Sequence, residues 1–414
     1  MLGLDEALEI VLSESPRLGR ERVPLEASLG RVLARPVKAV RDLPPFDRAT
    51  MDGVAVASSA IQGRPVSLKV SDTVLAGQPV KPHPGEGACV KIMTGAIAPR
   101  GTAAVVPIER CAFKEEQVVV CLTGKERTFV CPKGQDARRG DVLIQAGTRI
   151  EAPHWTVLSY NGTKTVEVGR RPSVGVASTG QEVVPLGLKP RPWQIADCNS
   201  WTLQGLLDGA GMAATAKLGI LPDDETALCE SIGKALDEHE AVLLSGGVSM
   251  GEKDLVTNAL KRLGMKILFH RVAMRPGKPF LLAKVGRRLL FGLPGNPFAV
   301  WVCALLFVLP SLRRMAGMEP ESARLRAKLG EELMPEKART RFVPAWLTQE
   351  TTAQWVALPT EYHGAGDVPS MSQGNALVLL KPGDRKVREG TTVDVVPYPR
   401  PFWGRQAIGV GNAR

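Results

Sequence analysis

The residues best suited to chemistry stand in short loops rich in glycine, proline and charge. "SGGVSMGEKD" (residues 245–254) follows the apolar run "AVLL" and precedes the helix-like "LVTNALKRL". Glycine tolerates positive φ and close backbone approach. Gly246, Gly247 and Gly251, with the Ser249 hydroxyl, can therefore aim several donors at one anion ahead of a helix. A tight strand-to-helix turn capped by Asp254 would use the same residues without a ligand. "MRPGKPF" (residues 274–280) brings Arg275 and Lys278 to one turn shaped by Pro276 and Gly277. Two cations placed so either converge on an anion or stay solvated. In "GLPGNPF" (residues 292–298), Pro294 and Pro297 bracket Gly295 and Asn296, a rigid turn opening an apolar helix. Asn296 can cap that helix or reach a ligand.

Such loops need a large scaffold. At 414 residues, 44% of them hydrophobic, the chain exceeds one ordinary core and predicts about two to four domains. The longest apolar run, "FAVWVCALLFVLP" (residues 298–310), reads as a buried helix rather than a membrane span. The N-terminal "MLGLDEALEIVLSES" carries acids and helical periodicity where a secretory signal carries basic residues, so the reading is a soluble, cytoplasmic protein. Seven cysteines without CxxC spacing and five scattered histidines support neither a disulfide framework nor a zinc site or catalytic triad. The net charge of +11 comes from 53 dispersed Lys and Arg, and with three Tyr and no aromatic-basic motif it favours an anionic small molecule over nucleic acid.

Along the chain, residues 4–14 predict an amphipathic helix. "RDLPPFDRATMDGVAVAS" (residues 41–58) is too interrupted by Pro and Gly to be one element. From about 60 to 150, short β-rich runs such as "ACVKIM", "AAVVPI" and "QVVVCL" predict a small all-β insert. From 171 onward strand, loop and helix alternate, with helices from about 199 to 208, from about 224, after 254 and from about 296 to 312. That rhythm predicts a mostly parallel sheet covered on both faces, with "STGQE", "SGGVSMGEKD" and "GLPGNPF" following strand ends, where such sheets bind ligands. After 320, β runs return and predict a C-terminal barrel or sandwich.

Eight pieces in order resemble the molybdopterin molybdenumtransferase family, which includes MoeA proteins and the gephyrin E domain. They are "PPFDRATMDGVAV", "KIMTGA", "STGQEVV", "DCNS", "LPDD", "SGGVSMGEKD", "MRPGKPF" and "GLPGNPF", spanning essentially the whole chain. The resemblance implies a multidomain α/β and β protein: a doubly wound mixed sheet of the molybdopterin-binding fold, an all-β insert and a C-terminal β-barrel. Its boundaries would be 1–44 with 148–170 for an extended linking domain, 45–147 for the insert, 171–320 for the molybdopterin-binding domain and 321–414 for the barrel. It also implies that molybdate and adenylylated molybdopterin give molybdenum cofactor and AMP, assisted by Mg²⁺. A homodimer is implied, with molybdopterin adenylyltransferase and molybdoenzymes or their chaperones as transient partners.

On that resemblance Asp52 handles metal or molybdate with Thr94 as its hydroxyl neighbour, although an Asx-turn alone would also suit Asp52. Glu182 and Asp254 join Asp52 as metal-binding carboxylates or pterin ligands. Asp223 in "LPDD" joins the substrate-binding set, and Ser370 in "PSMSQGN" reaches a partner's cleft. Arg275 and Lys278 serve the transfer itself. Arg275 stands where the family carries Lys, adding a planar fork. Other departures are Val54 for an aromatic, Ala103 and Gln181 for acids, Pro344 for a basic residue, and a missing acidic segment for which only Asp136 or Asp141 could stand in. Each loss thins the charge of the implied cleft. Alternative readings are a paralogue that binds molybdopterin or inserts another oxyanion such as tungstate, and a non-enzymatic scaffold.

Overall fold

In the computed structural model residues 1–79, 81–121, 129–248, 255–319, 324–349 and 354–399 are described. They form two compact units, one of Met1–Ala34, Gly147–Glu151 and Val166–Arg414, the other of Arg35–Ala146 and Ala152–Thr165.

The larger unit is built on a six-stranded sheet ordered Ala214–Leu221, Ser173–Thr179, Ala241–Ser245, Arg288–Leu293, Leu281–Val285, Lys266–His270. The first four strands are parallel and the last two antiparallel, so the sheet is mixed. Alternate residues of its strands feed two separate cores. Val174, Val176, Leu243 and Phe291 pack with the helices Asn199–Ala210 and Pro297–Cys303. Val242, Leu244 and Leu290 pack with Glu225–Glu238 and Leu255–Arg262. Burial on both faces explains why "AVLL" shows no polar alternation.

The apolar segment after Asn296 exceeds its expected length. Helix continues through a π turn at Ala304–Val308 into Leu309–Met315. Pro310 has no N–H to donate and crowds the preceding turn, which the wider π turn accommodates. At 19 residues, Pro297–Met315 is long and apolar enough to cross a bilayer, but 72% of its most apolar window is buried inside the protein. The expected helix over about 296–312 already passes Pro310, and the observed one extends three residues further.

Five strands close on themselves in the order Thr340–Gln349, Trp355–Pro359, Leu325–Leu329, Thr392–Pro397, Ala376–Leu380 and back to Thr340–Gln349. Closure makes this a barrel and not a sandwich. The short strand Met274–Arg275 pairs in parallel with Thr340–Gln349, setting Arg275 opposite Arg341.

The smaller unit holds a six-stranded sheet ordered Ala104–Pro107, Gly53–Val56, Ala88–Ile92, Pro65–Val74, Gln117–Cys121, Ala112–Lys114. At Gly53 a Cβ would fall 1.8 Å from Val106 O, so only glycine fits where the strand begins beside Asp52.

Candidate active site

Three neighbouring parallel strands end together, with Ser178 opposite Ser245 and Ser245 opposite Leu293. Their exits are welded by polar side chains. Asp197, buried, accepts from Ser178 Oγ at 2.8 Å, Ser200 N at 3.1 Å and Ser200 Oγ at 2.5 Å. Asn199 Nδ2 donates to Ser245 Oγ at 2.8 Å and Gly295 O at 2.7 Å, joining the second exit to the third. Sequence reasoning quoted "DCNS" but gave neither residue a role. Their function is to hold loops that are remote in sequence, which no local pattern signals.

Gly246 and Gly247 adopt φ of 91° and 69°. Cβ atoms there would lie 2.6 Å from Thr179 O and 2.9 Å from Thr179 Oγ1 and Val256 Cγ2, so the turn passes too close to the neighbouring strand end for any side chain. One expectation is corrected: Gly246 N donates to Leu293 O at 3.1 Å, so this N–H fastens the turn to the next strand and is not available to an anion. Ser249, Gly251 and Asp254 lie outside the described residues.

Beside these exits is a cavity of about 360 Å³ whose lining includes Arg275, Lys278, Asn296, Arg339 and Tyr362, with Pro294 and Gly295 on its wall. Gly277, at φ of 105°, lets the loop press on the core, since a Cβ would fall 2.8 Å from Cys303 Sγ and Met274 Cε. The exposed Lys278 ammonium has no ion pair among the described residues. Arg275 Nη1 pairs with Glu336, which also takes Arg339 Nη2 at 3.0 Å. Burial works to raise the Glu336 carboxyl, but hydrogen bonds from the two guanidiniums and their charge outweigh it and hold the carboxyl below the usual range. Burial pushes the Tyr362 phenol up to about 12, so it faces the cavity as an O–H donor. Asn296 stands at the N-cap of Pro297–Cys303 without a side-chain capping bond, while Phe298 N is satisfied by Ala365 O at 3.2 Å. Its amide is thus left to the cavity. Arg339, Glu336 and Tyr362 were missed because only the pairing of Met274–Arg275 with the barrel brings them there.

In the smaller unit, Asp52 Oδ1 accepts both Thr94 N and Thr94 Oγ1 at 2.7 Å. The hydroxyl first and the backbone N–H second hold this exposed carboxyl below its ordinary range. An Asx-turn would have bonded Asp52 to its own loop. Instead the bonds cross 42 residues and leave Oδ2 unengaged among the described residues.

Glu182 is exposed, with its carboxylate over Gly180, where a Cβ would fall 2.7 Å from Oε2. Asp223 is exposed past the end of the edge strand Ala214–Leu221, and its neighbour Asp224 does the capping, accepting from Thr226 N and Ala227 N. Ser370 corrects another expectation: it is 1% exposed and donates to Asp367 O at 3.1 Å, so it faces inward rather than toward a partner. No three His, Cys, Asp or Glu side chains assemble a metal cage among the described residues. Asp52 and Glu182 each present a single carboxylate, the number Mg²⁺ uses when substrate phosphates complete its shell.

Three family profiles match in chain order: the MoeA N-terminal region (domain I and II) over residues 2–162, the probable molybdopterin binding domain over 175–314, and the MoeA C-terminal region (domain IV) over 326–398. The chain is 31% identical over 385 residues to the molybdopterin molybdenumtransferase of Synechocystis sp., covering 92% of this chain and 95% of that one. To the protein of the same name in Nostoc sp. it is 33% identical over 414 residues, covering 96% and 94%. The solved molybdopterin biosynthesis MoeA protein of Pyrococcus horikosii matches with a TM-score of 0.79 at 32% identity, covering 96% of this chain and 99% of that one. Sequence and fold agree along nearly the whole length, and the chain belongs to the molybdopterin molybdenumtransferase family, transferases of molybdenum cofactor biosynthesis.

Proposed function

We propose that this chain inserts molybdate into adenylylated molybdopterin and releases AMP. The observation that carries the reading is the cavity at the strand exits, where Arg275, Lys278 and Arg339 meet the neutral donors Asn296 and Tyr362. A tetrahedral dianion needs both opposite charge and several hydrogen-bond donors when it leaves water, and this lining offers both. The welded exits hold the donors still, so little reorganisation accompanies charge movement when the bond to AMP opens. The turn at Gly246 and Gly247, pressed against Thr179, fixes the loop that a phosphate-bearing ligand would meet at the strand exits.

A divalent cation, when bound, supplies positive charge to the phosphate oxygens, and Asp52 is a described carboxylate suited to hold it, with Glu182 a second candidate ligand. Asp52, kept ionised by Thr94, is suited to that task or to positioning the oxyanion. The same reading makes the protein a cytoplasmic homodimer that receives its substrate from an adenylyltransferase and passes the finished cofactor to molybdoenzymes or their chaperones.

Purified protein incubated with adenylylated molybdopterin, Mg²⁺ and either molybdate or tungstate should release AMP. No AMP with either anion would overturn the assignment, and AMP with tungstate alone would redirect it.

A further inference from the structure

Arg275, Lys278 and Arg339 all line the cavity, and a single carboxylate, Glu336, engages two of them. The surplus is two positive charges, which matches one tetrahedral dianion. Glu336, outside that lining, takes guanidinium donors that an oxyanion's oxygens could otherwise use. Its side chain is 22% exposed, while that of Arg275 is 58% exposed and open to a ligand. A planar guanidinium has five N–H donors, so one edge can serve Glu336 while another serves a ligand.

We propose that Glu336 is the built-in counter-ion of the oxyanion cavity, a positioning residue that aligns Arg275 and Arg339 and competes for their donors, so that the bound dianion is released readily. This rests on reading the cavity as the oxyanion site, and it adds the residue that sets how firmly the anion is held. With Glu336 alone removed, the cavity would carry three uncompensated cations. Both guanidiniums would then turn their freed donors to the anion, and a tetrahedral dianion would be retained rather than handed on.

The test uses sulfate, a tetrahedral dianion that does not react, titrated calorimetrically into the whole protein at pH 7, and then tungstate. Glu336→Gln should bind sulfate about fivefold more tightly than wild type, the scale of one partly exposed charge pair, with a steeper loss of affinity on adding salt. Glu336→Asp should restore wild-type affinity. In the AMP-release assay Glu336→Gln should lower both the KM for the oxyanion and kcat, whereas a residue that merely shapes the loop would raise KM. Unchanged or weaker sulfate binding by Glu336→Gln, with the melting temperature preserved, overturns the proposal. If that variant is poorly folded, Arg339→Met decides: sulfate affinity should drop severalfold, and wild-type affinity would remove the pair from the site. Lys278→Met separates the two readings. If it abolishes sulfate binding while Glu336→Gln changes nothing, only the role of Glu336 falls. If Lys278→Met and Arg275→Met both bind sulfate like wild type, the oxyanion site lies elsewhere and both readings fall.

Discussion

Asp52 and Thr94 are the pair whose chemistry is most open to a single-residue test. Asp52→Asn keeps size and a carbonyl to accept from Thr94 but removes the charge, so AMP release should fall by at least about tenfold while pterin affinity stays within about twofold. Equal rates at saturating ligand would take Asp52 out of the mechanism. Thr94→Val tests the same carboxylate from the other side. The Thr94 hydroxyl is the largest influence lowering the Asp52 pKa. Losing it raises that pKa, so the acid limb of the pH–rate profile should move to higher pH. A limb that does not move would mean that ionisation of Asp52 does not limit the reaction. The Asp52–Thr94 pairing was legible because each residue sits in its own recognisable motif, "ATMDGVA" and "KIMTGA". Arg339 and Glu336 had no such motif and were invisible beforehand.

At the scale of elements, the turn after Ala241–Ser245 depends on two left-handed glycines pressed against Thr179. Gly247→Val requires a β-branched residue at φ of 69° with Cβ 2.9 Å from two side-chain atoms, which should cost about 1–2 kcal/mol in backbone strain alone and displace the turn. Calorimetry should show adenylylated molybdopterin binding at least about tenfold more weakly, and unchanged affinity would move the phosphate site elsewhere. At the opposite end of the strands that carry the site, Glu240 ties the start of Ser173–Thr179, accepting from Ser173 N and from Arg170 Nη2, each at 2.7 Å. Burial works against its charged form, yet those bonds hold its pKa below the ordinary 4.5 of a glutamate. A depressed carboxyl contributes stability fully present above 4.5 and lost as pH falls through its lower folded pKa. Glu240→Gln should therefore lose stability at neutral pH and show less acid sensitivity below about 4.5 than wild type. Parallel stability–pH curves for the two proteins would show that the bonds are not linked to its charge.

At the scale of the whole molecule, the largest core gathers around stacked aromatics. Phe280 and Phe307 lie 4.5 Å apart at 15°, and Phe291 stacks on Phe280 at 6.4 Å. Phe307→Ala should destabilise the larger unit by about 3–5 kcal/mol, read as a lowered melting temperature, and a loss below about 1 kcal/mol would mean the core collapses to fill the space. The sequence by itself determined the alternation of strands and helices, the loops that follow strand ends and the presence of a β-rich C-terminal region, because period, glycine and proline act locally. It also carried the family, because eight ordered motifs survive where single residues have changed. Only the tertiary structure decided that Gly246 spends its N–H on Leu293, that Ser370 faces inward, that Pro297–Met315 passes its proline by way of a π turn, and that the barrel closes. It alone brought Glu336 and Arg339 to Arg275 across more than sixty residues. The physical reason is common to all of these: hydrogen-bond partners, burial and charge pairing belong to contacts between distant segments, and those exist only once the sheet and the barrel have set the segments side by side.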